Sequence, residues 1–321
     1  MKLTHVEEKI IRTLLKARGK KLDIWEICRR CGYLLHVINS VEFLSKRGVT
    51  KIKDSIISLV NTNDLPRYVL KKEKSIEKVL QKYIKYKKRV GFVNDDYDQM
   101  SITPKAVKNK LSVMLKENDL LERDILCIGD DDLFSVACSL TGLPKSITVF
   151  DIDKKVIGFI DEISPRLPVP IKTVSVNLLK SLPKKYNNSF DIFISEPPDT
   201  VKGTLLFVSR GMQALRKNGA FYLGMTEETL NKKQWLKIEK AITQSGFAFT
   251  NIIKDCEEYV REGENELSWK GFEKLPKWIN KPASKSWFVS ALFRAESIGK
   301  RKPLRFSFKD AKKELITSLL P

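Results

Sequence analysis

The chain has 321 residues, 42% of them hydrophobic, and a mean hydropathy of −0.26, which fits a globular protein with one domain of about 200 residues and a smaller one. No apolar run approaches the ~18 residues of a membrane span, and the opening Met1-Lys2-Leu3-Thr4-His5-Val6 lacks the apolar stretch of a secretory signal, so a cytoplasmic location is expected. The formal charge of +20 is uneven: residues 1–90 hold 23 Lys+Arg against 9 Asp+Glu, and residues 91–200 hold 13 against 17.

Helical spacing of Val6, Ile10, Ile11, Leu14 and Leu15 predicts a first helix over 4–17. Asp23 is placed to cap a second, short one carrying Ile24, Ile27 and Cys28, and Leu34, Val37, Ile38, Val41 and Leu44 mark a third that ends before Gly48. A strand over 55–60 follows. Three helices and a strand pair are the layout of a winged helix, which either reads nucleic acid or serves as a packing module; Lys46 and Arg47 are few charges for a groove-reading helix. Cys28-x-x-Cys31 lacks two further ligands, since His5 and His36 are distant, so no metal is expected. A Lys-rich helix over 75–89, with Ile76, Val79, Leu80, Tyr83 and Ile84 on one face, reads as a connector closing an N-terminal domain of residues 1–90.

The remaining domain, 91–321, opens on an acidic stretch containing Tyr97, Asp98 and Gln99, then a helix started by Thr103-Pro104. Strands predicted at 124–129, 146–151, 171–176, 190–195 and 219–225 alternate with helices at 133–141, 153–163, 204–216 and 231–245. That alternation gives a parallel, doubly wound sheet. Two further strands, 247–253 and 286–293, suit the antiparallel finish of a seven-stranded, methyltransferase-type sheet.

The strand ends carry the chemistry. Ile128 runs into Gly129-Asp130-Asp131-Asp132 where a helix begins, the second strand ends on Asp151-Ile152-Asp153, and a later one ends on Glu196-Pro197-Pro198-Asp199. Ligands of open α/β sheets sit at these carboxyl ends. Three acids at a helix start repel a phosphate, so the ligand is read as a cation, and the helix start is expected to help keep the acids ionised. Asp151, 22 residues after Gly129, is placed to receive ribose hydroxyls. A nucleoside without phosphates beside carboxylates suggests an S-adenosyl sulfonium. The acids would repel the carboxylate of S-adenosylmethionine and attract its decarboxylated form, which points to aminopropyl transfer onto an amine. Glu196-Pro197-Pro198-Asp199 is similar to the (Asp/Asn/Ser)-Pro-Pro-(Tyr/Phe/Trp) motif of amino methyltransferases. Asp199, however, offers no ring to stack on a flipped base.

Tyr97-Asp98-Gln99 with Thr103-Pro104, Gly129-Asp130-Asp131-Asp132-Leu133-x-Ser135-Val136-Ala137, Phe150-Asp151-Ile152-Asp153, Glu196-Pro197-Pro198-Asp199-Thr200, Ser209-Arg210-Gly211 and Gly224-Met225-Thr226 resemble, in order and spacing, the branched-chain polyamine synthase family of archaea and thermophilic bacteria. The resemblance implies a winged-helix-like domain on a Rossmann-type catalytic domain. It further implies transfer of two aminopropyl groups from decarboxylated S-adenosylmethionine to the secondary amine of spermidine. The cosubstrate is the only small molecule implied besides the acceptor, with no separate cofactor. Asp130, Asp131 and Asp132 match the family's acidic catalytic motif, with Asp132 as the residue that orients and deprotonates the amine. Gly129, Asp130, Asp151, Asp153, Asn177, Glu196 and Pro197 are assigned to the donor, and Tyr97, Asp98, Gln99, Asp132, Glu196 and Asp199 to the acceptor. The chain departs from the family where Glu196 replaces an Asp, Asp199 a Glu, and Asn177 the acid near the adenine. Two other readings stand beside it, an S-adenosylmethionine-dependent amino methyltransferase and a winged-helix nucleic-acid-binding protein. The triple aspartate and Asp199 argue against the first, and intact acids at three strand ends against the second. A homodimer is the expected assembly, with nucleic acid not favoured as a partner and no membrane.

Overall fold

A computed structural model describes residues 1–90, 99–226, 230–260, 276–279, 281 and 286–304. The chain divides into two compact units, one made of Met1–Glu73 with Met114–Leu121, the other of Lys74–Val113 with Glu122–Pro321. The division differs from the sequence boundary at residue 90, because the basic helix over 76–87 makes its buried contacts in the second unit, through Tyr83.

The first unit holds the predicted three helices, α1 (His5–Lys16), α2 (Ile24–Cys31) and α3 (Leu34–Lys46). Thr4 and Glu7 close α1 with a reciprocal capping box, and Asp23 caps α2 by accepting from the Trp25 amide at 2.8 Å. The apolar faces meet through Ile10, Ile11, Leu14, Ile27, Val37 and Leu44, all fully buried. Strands β1 (Lys21–Asp23), β2 (Thr50–Lys53) and β3 (Ile56–Leu59) pair antiparallel in the order β1-β3-β2. Cys28 and Cys31 are free thiols.

In the second unit, α4 (Ile76–Lys87) and α5 (Pro104–Glu117), whose last turn over 114–117 counts with the first unit, precede a seven-stranded sheet. Its strands are β4 (Asp124–Ile128), β5 (Ser146–Asp151), β6 (Ile171–Ser175), β7 (Phe190–Ser195), β8 (Leu215–Thr226), β9 (Phe247–Glu258) and β10 (Val289–Ser297), in the order β6-β5-β4-β7-β8-β10-β9. The first five are parallel, and β10 runs antiparallel to both β8 and β9. Helices α6 (Phe134–Thr141), α7 (Lys154–Ile163), α8 (Val201–Ala214) and α9 (Lys232–Gln244) connect them. The doubly wound, methyltransferase-type sheet read from the sequence is therefore the fold. Strand β4 lies fully buried at the centre, which is why Ile125-Leu126-Cys127-Ile128 reads as an unbroken apolar run rather than an alternating one. The core around it packs Phe193 on Phe221 with ring centroids 4.8 Å apart.

Two boundaries differ from the sequence reading. Helix α8 ends at Ala214 and β8 begins at once, its polar stretch Arg216-Lys217-Asn218 lying at the edge of the strand where it faces solvent. Strand β9 runs on to Glu258: the alternation of more and less exposed positions breaks at Asp255, where φ is +51° and the register with β10 shifts, and Cys256 and Glu257 follow it buried. Because β9 runs in the same direction as β8, its far end reaches the carboxyl edge of the sheet, carrying Glu257 there. Among the described residues no helix is long and apolar enough to cross a membrane.

Candidate active site

The site forms where the chain leaves β4 between β5 and β7, the point at which the strand order changes direction. Gly129 takes φ +74°, a left-handed turn that glycine adopts without strain, and its amide donates to the Phe150 carbonyl at 2.9 Å. Leu133 repeats the left-handed turn at φ +58° just before α6. Between these two bends the three aspartates point in different directions.

Asp130 is 1% exposed, and both of its oxygens are engaged by Ser135: Oδ1 accepts the amide at 2.9 Å and Oδ2 accepts the hydroxyl. Asp131 accepts the Met100 amide at 3.0 Å, while its carbonyl receives Lys87 Nζ at 2.9 Å. Asp132 Oδ1 accepts the Phe134 amide at 3.0 Å, and its carbonyl receives the Tyr83 hydroxyl at 2.6 Å. Asp132 Oδ2 is buried and accepts no hydrogen bond, and Asp132 lines a pocket together with Gly129, Phe134 and Glu196. Amides of the first turn of α6 thus hold Asp130 and Asp132 at the helix start. The expected ionisation differs: burial, and then the charge of Asp132, raise Asp130 well above the ordinary carboxylate range and push Asp131 up to about 7. Desolvation by the surrounding core outweighs the helix start.

The β5 end forms a second ordered group. Asp151 accepts the Asp130 amide at 3.0 Å and the Asp153 amide at 2.8 Å, and burial raises its pKa. Asp153 caps α7 through the Lys155 amide at 2.8 Å and accepts Gln99 Nε2 at 3.0 Å. Gln99, assigned to the acceptor from the sequence, thus contacts a donor-side acid. Asn177 is exposed after β6, its side chain accepting the Leu179 amide at 3.0 Å. Tyr97 and Asp98 lie outside the described residues.

At the β7 end, Ser195 Oγ donates to the Ile128 carbonyl at 2.8 Å and joins the two central strand ends. Glu196 then enters the pocket, Pro197 is buried behind it, and Asp199 is half-buried at the approach to α8. Glu196 Oε2 accepts the Tyr259 hydroxyl at 2.7 Å, and Oε1 is hydrogen-bonded to Lys110.

Lys110, Glu257 and Tyr259 are the residues that sequence reasoning passes over. Lys110 lies on α5, whose start is fixed to the end of β9 by Thr103 N donating to Glu258 O (2.8 Å) and Val260 N to Ser101 O (2.7 Å). Asn109 Nδ2 adds a bond to the Cys256 carbonyl at 2.9 Å. Lys110 is consequently 2% exposed, with Nζ 3.1 Å from Glu257 Oε1, 3.7 Å from Asp132 Oδ2, and 4.4 Å from the centre of the Phe134 ring. Glu257 is fully buried, and Ser290 Oγ on the neighbouring strand donates to its other oxygen. Gly224 leaves the room: a Cβ there would overlap Glu257 Oε2 and sit 3.0 Å from Glu196 Cγ. Burial, followed by the charge of Glu257, raises Glu196 well above the usual carboxylate range despite Lys110. Burial alone would lower Lys110, but Glu196, Glu257 and Asp132 together outweigh it and raise the ammonium well above the ordinary lysine value. A signal for Lys110 did exist in the sequence, since it shares the apolar face of α5 with Val107 and Met114.

The arrangement gathers carboxylates around a pocket and leaves two buried oxygens, Asp132 Oδ2 and Glu257 Oε1, without a hydrogen bond; of the two residues Asp132 lines the pocket, and among the pocket-lining residues the single cation is already surrounded by acids. It suits a cationic ligand and proton removal from an amine.

The chain is 29% identical over 313 residues to an N(4)-bis(aminopropyl)spermidine synthase of Methanocaldococcus jannaschii, covering 91% of this chain and 89% of that one. A protein of the same description from Thermococcus kodakarensis is 34% identical over 207 residues, 63% of this chain and 58% of that one. Among solved structures, the branched-chain polyamine synthase from Thermus thermophilus in complex with N4-aminopropylspermidine and 5'-methylthioadenosine superposes with a TM-score of 0.66 at 22% identity, covering 96% of this chain and 92% of that one, a likeness of fold. The family model described as the branched-chain polyamine synthase A C-terminal domain matches residues 78–315, well over half of the 321. On that match, the chain belongs to the branched-chain polyamine synthase A family.

Proposed function

We propose that the protein transfers aminopropyl groups from decarboxylated S-adenosylmethionine to the secondary amine of spermidine, twice, forming N4-bis(aminopropyl)spermidine and methylthioadenosine. The observation that carries the reading is Asp132 Oδ2, a buried carboxylate oxygen without a hydrogen-bond donor on the wall of an acid-lined pocket. Asp132 takes the proton of the secondary ammonium. The freed lone pair attacks the methylene beside sulfur, the C–S bond breaks, and its electrons return to sulfur as a neutral thioether. Asp132 releases that proton to solvent, the new tertiary ammonium then loses its own to the same oxygen, and the second attack yields a quaternary nitrogen with no proton to lose. A base is therefore needed in both rounds. The sulfonium is its own leaving group, so the reaction as written uses no metal or redox cofactor.

Asp151 is the proposed ribose acceptor, since each of its oxygens retains a lone pair beside the amide it already accepts. Gly129, Asp130 and Asp153 shape that side, and Asn177 is offered to the adenine. Glu196 and Asp199 face the acceptor. A homodimer is proposed as the assembly, with the exposed Trp25, Tyr33 and Leu35 of the first unit as apolar material for a contact; light scattering tests it. The function is tested by mass analysis of products from decarboxylated S-adenosylmethionine and spermidine. Two aminopropyl units on one nitrogen are expected. Methyl transfer from S-adenosylmethionine without aminopropyl transfer would overturn the reading.

A further inference from the structure

Lys110 has no part in the proton transfer or in holding the nucleoside, yet it is the cation at the centre of the pocket's acids. Its ammonium is hydrogen-bonded to Glu196, lies 3.1 Å from Glu257 Oε1 and 3.7 Å from Asp132 Oδ2, and stands 4.4 Å from the Phe134 ring centre. Carboxylates on several sides and an aromatic face are the shell that a substrate ammonium would itself require. The lysine arm ends in a butylammonium, chemically the same as the end of a polyamine.

We propose that Lys110 is a tethered occupant of an ammonium subsite in the acceptor cleft, and thereby a positioning and specificity-determining residue. It takes one cation position away from the acceptor and leaves Asp132 Oδ2 to the reacting amine. The inference rests on the polyamine reading of the site. Its physical ground is that Glu257, fully buried, and Glu196 beside it need a counter-ion whether or not substrate is bound. A free polyamine supplies one only in the complex, whereas a lysine held on α5 keeps the acids in place beforehand. Every element packed around Nζ contributes: Asp132 from the turn after β4, Phe134 from α6, Glu196 after β7 and Glu257 from β9. Tyr259 and Ser290 engage the far oxygens of the two glutamates. The combined charge of the three acids keeps the ammonium protonated, so Lys110 does not compete with Asp132 as the base.

The test compares Lys110→Ala, which empties the subsite, with Lys110→Met, which fills the arm's volume without charge. Ethylammonium is the probe. Lys110→Ala should lose transfer activity on the order of 10²-fold, as for a misplaced reacting group, and keep its affinity for methylthioadenosine. Ethylammonium should raise its melting temperature and restore activity, with no such response in the wild type or in Lys110→Met. Calorimetry should show the affinity for a linear tetraamine, relative to a triamine, rising in Lys110→Ala. In Lys110→Met the acid limb of kcat/KM should move to higher pH, because Glu196 loses its hydrogen-bonded cation and holds a proton more tightly. Absence of the ethylammonium response overturns the proposal, as does an unchanged acid limb in Lys110→Met. Should Lys110→Ala fail to fold alone, recovery of folding by ethylammonium supports the subsite and non-recovery counts against it. The melting readout does not depend on turnover, so a wild type that transfers no aminopropyl group would sink the proposed function while leaving the subsite separately decided.

Discussion

The two sides of the sheet's carboxyl edge hold their acids by different means. On the β5 side, Asp130, Asp151 and Asp153 are each bound to backbone amides of the neighbouring turns, at 2.8–3.0 Å, with Ser135 Oγ and Gln99 Nε2 adding a bond to Asp130 and Asp153. On the β7 side, Glu196 and Glu257 depend on side chains from elsewhere, Lys110, Tyr259 and Ser290, and Asp132 and Glu257 each keep one oxygen with no hydrogen bond. Carboxylates satisfied by amides are part of the fold and hold a fixed shape, as a nucleoside needs. Those held by side-chain partners can exchange them for a ligand, as an amine acceptor needs. The difference teaches that the count of acids in a site says less than the kind of donor each already has.

The widest separation between the two sides should come from Asp132→Asn. The amide keeps the Oδ1 bond to Phe134, so melting should hold, while loss of the proton acceptor should lower turnover by about 10²–10⁴-fold. A variant that turns over normally would end the distinction. On the other side, Asp151→Ala should impair binding and folding together. Charged hydrogen bonds of ~1.5–3 kcal/mol each correspond to roughly ten- to hundredfold weaker methylthioadenosine binding, and the amides of Asp130 and Asp153 lose their acceptor. Calorimetry and thermal melting read both, and unchanged nucleoside affinity would remove Asp151 from the ribose.

Gly224→Ala sharpens the contrast by steric means alone. The added methyl meets Glu257 and Glu196, so acceptor KM should rise with nucleoside affinity intact, and stability should fall by about 1–3 kcal/mol, as for overpacking. Equal damage to donor and acceptor binding would count against separate sides. The smallest effect is expected from Asp131→Asn. With Asp131 pushed up to about 7, the folded protein binds a proton that the unfolded chain, at an ordinary ~3.9, has released. Its contribution to stability is therefore lost as pH rises from about 4 through 7. Removing the charge should raise the melting temperature at pH 8 by a few degrees, at about 2–4 °C per kcal/mol, and leave it unchanged at pH 4. A benefit confined to low pH would invert the assigned direction.

What was legible in the sequence were features written in consecutive residues. Ile125–Ile128 followed by Gly129 reads as a central strand and turn because burial on both faces and a left-handed bend each leave a local mark. The acids at 130–132, 151–153 and 196–199 are visible for the same reason. Lys110 reaches the pocket, and Glu257 and Tyr259 reach the Lys110 and Glu196 side chains on its wall, through pairings distant in sequence, namely the bond of Thr103 to Glu258 and the antiparallel return through β10. A lysine on an apolar helix face and a glutamate in a charged stretch look like surface residues until the sheet's last strand is in register. The assigned ionisation failed for a related reason, since desolvation of Asp130 and Asp131 comes from distant chain packed around them.

Helix α4 bears on how such a site changes over generations. Tyr83 and Lys87, one helical turn apart, hold the carbonyls of Asp132 and Asp131 from outside the pocket. Neither side chain lines the cavity, yet together they set where the acidic turn stands. Replacing either alters the mounting of the acidic turn while every chemical group remains present. Variation along this outer helix therefore offers lineages, and laboratory selection, a fine adjustment of acceptor choice that a comparison of pocket residues alone would not register.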